Sequence, residues 1–324
     1  MFSSARKRLL AITLATATVL GGATAMAPEA GAIPRDGSCP THVDRVYSAS
    51  MGKRIPVCVV GAGRRGAGTL YLLDGLRGPN NNSGWLIETR VASFMRGKGV
   101  NVAIPYAGGG TFYTDWERRD PRLGRVKWET FLTKELPRHM RGKYGASATK
   151  NGVAGLSMSG TSALNLASRH PNFYRAVASY SGYPTVTMPG FNQGIQFSVA
   201  EMGGNATNMW GTWPGGQWAA NDPFLTAGNL AGKRVYISSG SGLGSKYDSS
   251  LMPGAPGFNA VRFAQMVPLE VAASVSSQLY IARVAAVPGV RLTTKVTPDG
   301  DHWWTYWNET FRQSWNTTFK GVLR

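Results

Sequence analysis

The sequence predicts an α/β fold, a mostly parallel central sheet with helices on both faces. Three observations carry this expectation. Short apolar runs with strand character alternate with helical stretches, and parallel neighbours require such crossovers. At Val153 to Leu156, Ser157, and Met158 to Arg169 a buried strand, a sharp turn and a helix follow one another, with a serine at the apex. No internal repeat or low-complexity tract divides the chain, and residues 33–324 are long enough for one large domain with a full core.

In chain order, residues 1–32 read as a secretory signal. Arg6, Lys7 and Arg8 precede an apolar run from Leu9 to about Ala25, and small-residue cleavage candidates end at Ala27 or Ala32. The run is short for a membrane anchor and is diluted by Thr and Gly. In an exported chain the two cysteines, Cys39 and Cys58, favour a disulfide over two buried thiols. Tyr47 to Gly52 leads into a strand over Arg54 to Val60, and a second strand runs from Thr69 to Leu73. Gly61, Gly63 and Gly66 between them match a dinucleotide-binding spacing, but a strand follows where a helix is required. The segment therefore reads as a hairpin loop with a basic tip.

Arg77 to Gly84 reads as a surface loop, Trp85 to Met95 as helical, and Gly99 to Tyr106 as a strand. Trp128 to Met140 is an amphipathic helix with Phe131, Leu132 and Leu136 on one side. After the Ser157 turn come strands at Tyr174 to Tyr180 and Arg234 to Ser239. They are separated by a long Gly, Trp, Asn and Pro-rich stretch, Pro184 to Pro223. Pro268 to Val284 is helical, and a last strand, Arg291 to Val296, leads into Pro298 to His302.

A formal charge of +18 and a pI near 10.2 concentrate the protein at anionic surfaces such as cell-envelope polysaccharide or lipid. Lys and Arg are scattered and no nucleic-acid-binding motif occurs, so nucleic acid is not the expected partner.

Gly155, Ser159 and Gly160 are the small neighbours a tight turn at Ser157 needs, although Ser159 stands where the G-x-S-x-G pattern has its second glycine. A serine hydroxyl becomes a useful nucleophile only when a base takes its proton, usually a histidine whose tautomer a carboxylate fixes. In this fold the order nucleophile, acid, histidine removes His42 and His139. His170 lies at the far end of the helix, about 18 Å away at the helical rise. His302, directly after the final strand, remains.

Among the carboxylates between them, Asp299 and Asp301 are too near His302 in sequence to reach back, and Asp248 and Glu270 stay level. A tetrahedral intermediate needs two N–H donors. Met158 supplies one, and the second comes from Asp74 to Arg77 or from Ala107 to Gly110. This chemistry needs neither cofactor nor metal.

Several motifs then carry a resemblance. YLLDGLR (Tyr71 to Arg77), FYTDW (Phe112 to Trp116), KWETFLTKELP (Lys127 to Pro137), GLSMSG (Gly155 to Gly160), MWG (Met209 to Gly211), NDP (Asn221 to Pro223) and HWWTYW (His302 to Trp307) resemble secreted mycolyltransferases of the antigen 85 type, in the same order. The resemblance implies an α/β-hydrolase fold and acyl transfer from trehalose monomycolate to trehalose or cell-wall arabinogalactan, a glycolipid donor meeting an envelope acceptor. It implies Ser157 as nucleophile, His302 as base and Glu270 as acid. Leu76 becomes the second oxyanion donor. Asp74 and Arg77 are implied to hold trehalose hydroxyls, with Ser276 and Trp304 beside the sugar. The segments around Met209 and Trp303 offer a lipid channel or ordinary core. Leu86 and Glu88 replace the family's polar residues, which points to an altered sugar subsite. A secreted esterase acting on smaller esters, or a non-enzymatic envelope-binding protein on the same fold, is the alternative.

Overall fold

A computed structural model describes residues 35–324 except 245 and 246. The expected signal segment lies outside the described residues.

Eight strands form one sheet in the order β1-β2-β4-β3-β5-β6-β7-β8. They are β1 (His42–Ser48), β2 (Lys53–Val60), β3 (Thr69–Leu73), β4 (Asn101–Pro105), β5 (Asn151–Leu156), β6 (Tyr174–Tyr180), β7 (Arg234–Ser239) and β8 (Arg291–Val296). The pairs β1–β2 and β2–β4 are antiparallel, and every other neighbouring pair is parallel.

One expectation is corrected here. The segment after Val60 is not a hairpin, because β2 pairs with β4 and β3 lies between β4 and β5. β1, absent from the sequence reading, is an edge strand whose buried face carries polar Asp44 and Ser48 beside Val46 while Val43 and Tyr47 are exposed, so its residues do not show the apolar-in, polar-out alternation of a strand.

Parallel strands covered on both faces must be apolar on both, and the central ones are, whereas the edge strand β8 has no buried residue. Alternate residues enter opposite cores: Tyr71, Leu73, Val153 and Val177 enter one, and Leu70, Leu72, Ala154 and Ala178 the other. The expected amphipathic helix runs through 128–144, with a π-helical segment at Phe131–Glu135, and Phe131, Leu132 and Leu136 are fully buried.

The 184–223 stretch contains helices Phe191–Glu201 and Ala206–Trp210. One helix differs from expectation. The helix expected from Pro268 begins at Ala260 and runs to Ala285, with Pro268 inside it. Asn259 caps it by accepting from the Arg262 N–H, so the start is specified eight residues before the proline.

The disulfide Cys39–Cys58 ties the segment before β1 to β2. No helix among the described residues is long and apolar enough to cross a membrane. The carboxyl ends of β3, β5, β6, β7 and β8 open on one edge of the sheet, where open α/β sheets bind ligands.

Candidate active site

Ser157 sits on the turn leaving β5 with φ 53° and ψ −125°, a conformation that costs a non-glycine residue about 1–3 kcal/mol. The surroundings enforce it. A Cβ on Gly155 would lie 2.1 Å from the Ser159 carbonyl oxygen, and one on Gly160 would lie 2.8 Å from Ser179 Oγ. Ser159 replaces the usual second glycine without a clash because its side chain turns inward. Its Oγ accepts from the Leu156 N–H (2.8 Å) and faces the carbonyls of Leu73 (2.9 Å) and Leu156 (3.0 Å), stitching β3 to the turn.

His302 Nε2 lies 2.8 Å from Ser157 Oγ, and its Nδ1 lies 2.7 Å from Glu270 Oε2. Glu270 is fully buried, and its other oxygen accepts from Ser181 Oγ (2.8 Å) and from the Gly240 N–H. Trp307 Nε1 in turn donates to Ser181 Oγ at 3.0 Å. A carboxylate so surrounded by donors places the imidazole proton on Nδ1 and leaves the Nε2 lone pair facing the serine hydroxyl. The ring is held between Trp307, whose centroid is 5.0 Å away, and Tyr183 at 5.9 Å.

Asp248, the other candidate acid, caps Ser250 and pairs with Arg262, so it is committed elsewhere. Beside that pair lies Asp301, buried with neither carboxylate oxygen hydrogen-bonded among the described residues. Burial, with the negative charge of Asp248 behind it and Arg262 opposing, pushes its carboxyl up to about 7.

The loop after β3 stands next to Ser157 because Leu73 pairs with Gly155. Asp74 fixes this loop by accepting from the N–H groups of Gly75 (2.8 Å) and Gly84 (2.6 Å) and from Ser83 Oγ (2.9 Å). Burial raises its pKa, and these bonds oppose the rise. The Asp74 N–H donates to Tyr113 Oη at 3.0 Å, and Tyr113 rests on Gly108, where a Cβ would meet the ring at 2.3 Å. A Cβ on Gly109 would lie 2.7 Å from the Leu76 carbonyl oxygen. The glycine segment that competes for the second donor thus supports the Leu76 loop from behind. Among the described residues, no backbone hydrogen bond outside the helices and strands uses the N–H of Leu76 or Met158, as an oxyanion site requires.

The family model for Esterase matches residues 48–317. Diacylglycerol acyltransferase/mycolyltransferase Ag85A of Mycobacterium ulcerans is 32% identical over 94% of this chain and 88% of its own length. The chain belongs to the Esterase family, among the antigen 85-type mycolyltransferases. Ag85C of Mycobacterium avium is also 32% identical, over 93% of this chain and 84% of its own. The crystal structure of Mycobacterium tuberculosis MPT51 superposes with a TM-score of 0.74 at 25% identity, covering 88% of this chain and all of that one. An S-formylglutathione hydrolase from Agrobacterium tumefaciens, at 15% identity and TM-score 0.59 over 87% of this chain and 94% of that one, shares the fold.

Several antigen 85-type motifs have structural explanations. Asp115 of FYTDW accepts from the Thr130 N–H (3.0 Å) and Oγ1 (2.6 Å), fixing the start of the 128–144 helix. Asp222 of NDP caps Pro223–Thr226 and holds Thr187. Arg77 is exposed and pairs with Glu201, and Trp304 packs over Gly84 and Trp85 beside Asp74.

One expectation from the resemblance is corrected. Ser276 is fully buried and its hydroxyl bonds Thr185 (2.7 Å), so it is not presented to a sugar. Of the two readings left open for the segments around Met209 and Trp303, core packing holds for Met209, Trp210 and Trp218, while Trp303 lies under the Arg262 guanidinium, which is 4.7 Å from its ring centre. Leu86 is fully buried and Glu88 pairs with Arg35. Ser181 and Tyr183, both missed from sequence, lie just past the end of β6. The rule that sites gather at strand carboxyl ends would have found them.

Proposed function

We propose that this chain is an exported serine acyltransferase that moves a mycolyl group from trehalose monomycolate to trehalose or to cell-wall arabinogalactan. The observation that carries the reading is the continuous hydrogen-bonded line from Ser157 Oγ through the His302 ring to buried Glu270, in a chain whose relatives are mycolyltransferases. His302 takes the Ser157 proton as the oxygen attacks the donor ester carbon. The N–H groups of Met158 and Leu76 hold the oxyanion, and the sugar alkoxide leaves with the proton from Nε2. An acceptor hydroxyl then gives its proton to Nε2 and attacks the acyl-enzyme, and Ser157 recovers its proton.

Arg77 and Asp74, at the rim beside Leu76, orient the sugar, Arg77 directly and Asp74 chiefly by fixing the loop. Basic charge holds the protein against anionic envelope polymers, and the amino-terminal segment directs export. The test is product analysis with a trehalose ester donor, with and without added trehalose. Formation of diacylated trehalose is expected. Hydrolysis alone would leave an esterase, and no turnover would leave a binding protein.

A further inference from the structure

The edge of the sheet opposite the active site, where the parallel strands begin, is strongly basic. Arg96 and Lys98 precede β4, Arg64 and Arg65 precede β3, and Arg141 and Lys143 precede β5. Arg175 is the second residue of β6, and Arg234 and Arg291 open β7 and β8. In the sheet order β4-β3-β5-β6-β7-β8 every strand therefore starts near a cation, over five strand spacings or about 24 Å. Except for Lys98 and Arg234, which are half-buried, all of these side chains are exposed.

Main-chain contacts join them into one stripe. Arg64 Nε donates to the Gly99 carbonyl (3.3 Å), Arg324 Nε to that of Lys98 (3.1 Å), Lys150 Nζ to the main-chain oxygen of Arg324 (2.9 Å) and Arg175 Nε to the carbonyl of Thr149 (3.4 Å). These bonds fix the side chains without neutralising them. Asp44 and Glu129 reach this edge, but both are buried and already paired, Asp44 with His139 and Lys143 and Glu129 with Arg169 and His170. The exposed acidic residues among those described lie elsewhere, Glu117 beyond the carboxyl end of β4 and Glu201 against Arg77. Like charges left side by side repel, and a bound polyanion relieves that cost.

Two features select the partner. A stripe suits a linear polymer, and its arginine forks match carboxylate or phosphate groups bidentately. No exposed large apolar residue among those described lies along it, whereas an anionic bilayer is held by apolar side chains inserted beside the cations. Leu243, Leu269 and Val271 are exposed instead near Glu270 and past β7, at the other edge. Resting on the export reading above, which puts the protein among envelope polymers, we propose that this edge is a docking surface for a linear anionic polysaccharide. A protein bound in this way keeps its catalytic edge free for substrate.

The test is equilibrium binding of the protein to polygalacturonate at about 0.1 M ionic strength. There the Debye length is about 10 Å, while a six-residue strand such as β5 separates the two edges by about 20 Å, so charges at the catalytic edge contribute little. The variant carrying Arg65→Glu, Arg96→Glu, Arg141→Glu and Arg175→Glu is compared with one carrying Arg118→Glu, Arg119→Glu, Arg122→Glu and Arg125→Glu, which makes the same change in net charge in the exposed loop beyond β4. Thermal unfolding midpoints confirm folding. Kd rises at least tenfold for the first and less than threefold for the second, and saturating polymer leaves turnover of a small soluble ester unchanged. In the unaltered protein, bound polymer protects Lys143 and Lys320 from amine acetylation and leaves Lys53 and Lys134 reactive. No binding, an equal rise in both variants, equal protection of all four lysines, or tighter binding to phosphatidylglycerol vesicles or duplex DNA than to polygalacturonate overturns the assignment. The expected binding by a protein that transfers no acyl group overturns the transferase reading alone.

Discussion

Asp301 adjoins the proposed base and its carboxylate has no hydrogen-bond partner among the described residues, so removing its charge has a calculable effect. Its carboxyl is raised from 3.8 to about 7 in the folded protein by burial and by Asp248. At 1.36 kcal/mol per unit, that separation corresponds to about 4 kcal/mol. The sign follows from linkage. Between these two values the folded state binds a proton that the unfolded chain has released, so stability falls as pH rises through the window and is level above it. Asp301→Asn removes the titration. The new amide finds no better partners than the carboxyl had, which returns about 1 kcal/mol of the gain. The variant is therefore expected to be about 3 kcal/mol more stable than the parent above about pH 8 and no more stable below about pH 4. Urea unfolding across that range, with both disulfide cysteines intact, measures it. A variant with the parent's pH dependence, or one less stable at high pH, refutes the reasoning about this buried carboxylate.

Other consequences follow from the same contacts. Glu270→Gln preserves shape but loses the acceptor that fixes the Nδ1–H tautomer of His302, so kcat falls by about 10³ to 10⁴ while donor KM changes little, as steady-state kinetics would show. Ser159→Ala leaves the Leu156 N–H without its partner beneath the Ser157 turn, and thermal unfolding should report a loss of about 1–3 kcal/mol. Replacing Cys39 and Cys58 together by Ser opens a link between residues 19 apart, with an expected loss of about 3 kcal/mol in denaturant unfolding and unchanged specific activity at low temperature.

The parallel sheet was legible because its central strands are apolar on both faces, and β3, β6, β7 and β8 begin and end where the residue pattern places them. Strand pairing was less legible. A two-residue period says nothing of the neighbour, so the expected β2–β3 hairpin gave way to a β2–β4 pair formed across 40 residues of intervening chain. The triad histidine emerged by elimination, since only His302 follows the nucleophile at a strand end. The acid was level between Asp248 and Glu270 on sequence logic, because what separates them is spatial: one is committed to Arg262, the other to His302. Ser276 was misplaced because helix phase decides whether a hydroxyl faces the site or the core, and Ser276 faces Thr185. Ser181 and Tyr183 carry no motif of their own. Their importance comes from meeting Glu270 and His302, which lie 89 and 119 residues further along the chain.

The central claim, that His302 and Glu270 make Ser157 an acyl-accepting nucleophile, is tested most directly by mass spectrometry of the protein after reaction with a serine-reactive alkyl phosphonate. One equivalent on the peptide containing Ser157, lost in a folded His302→Ala variant, is the predicted result. Label on a different residue, or none on a folded protein, would contradict it.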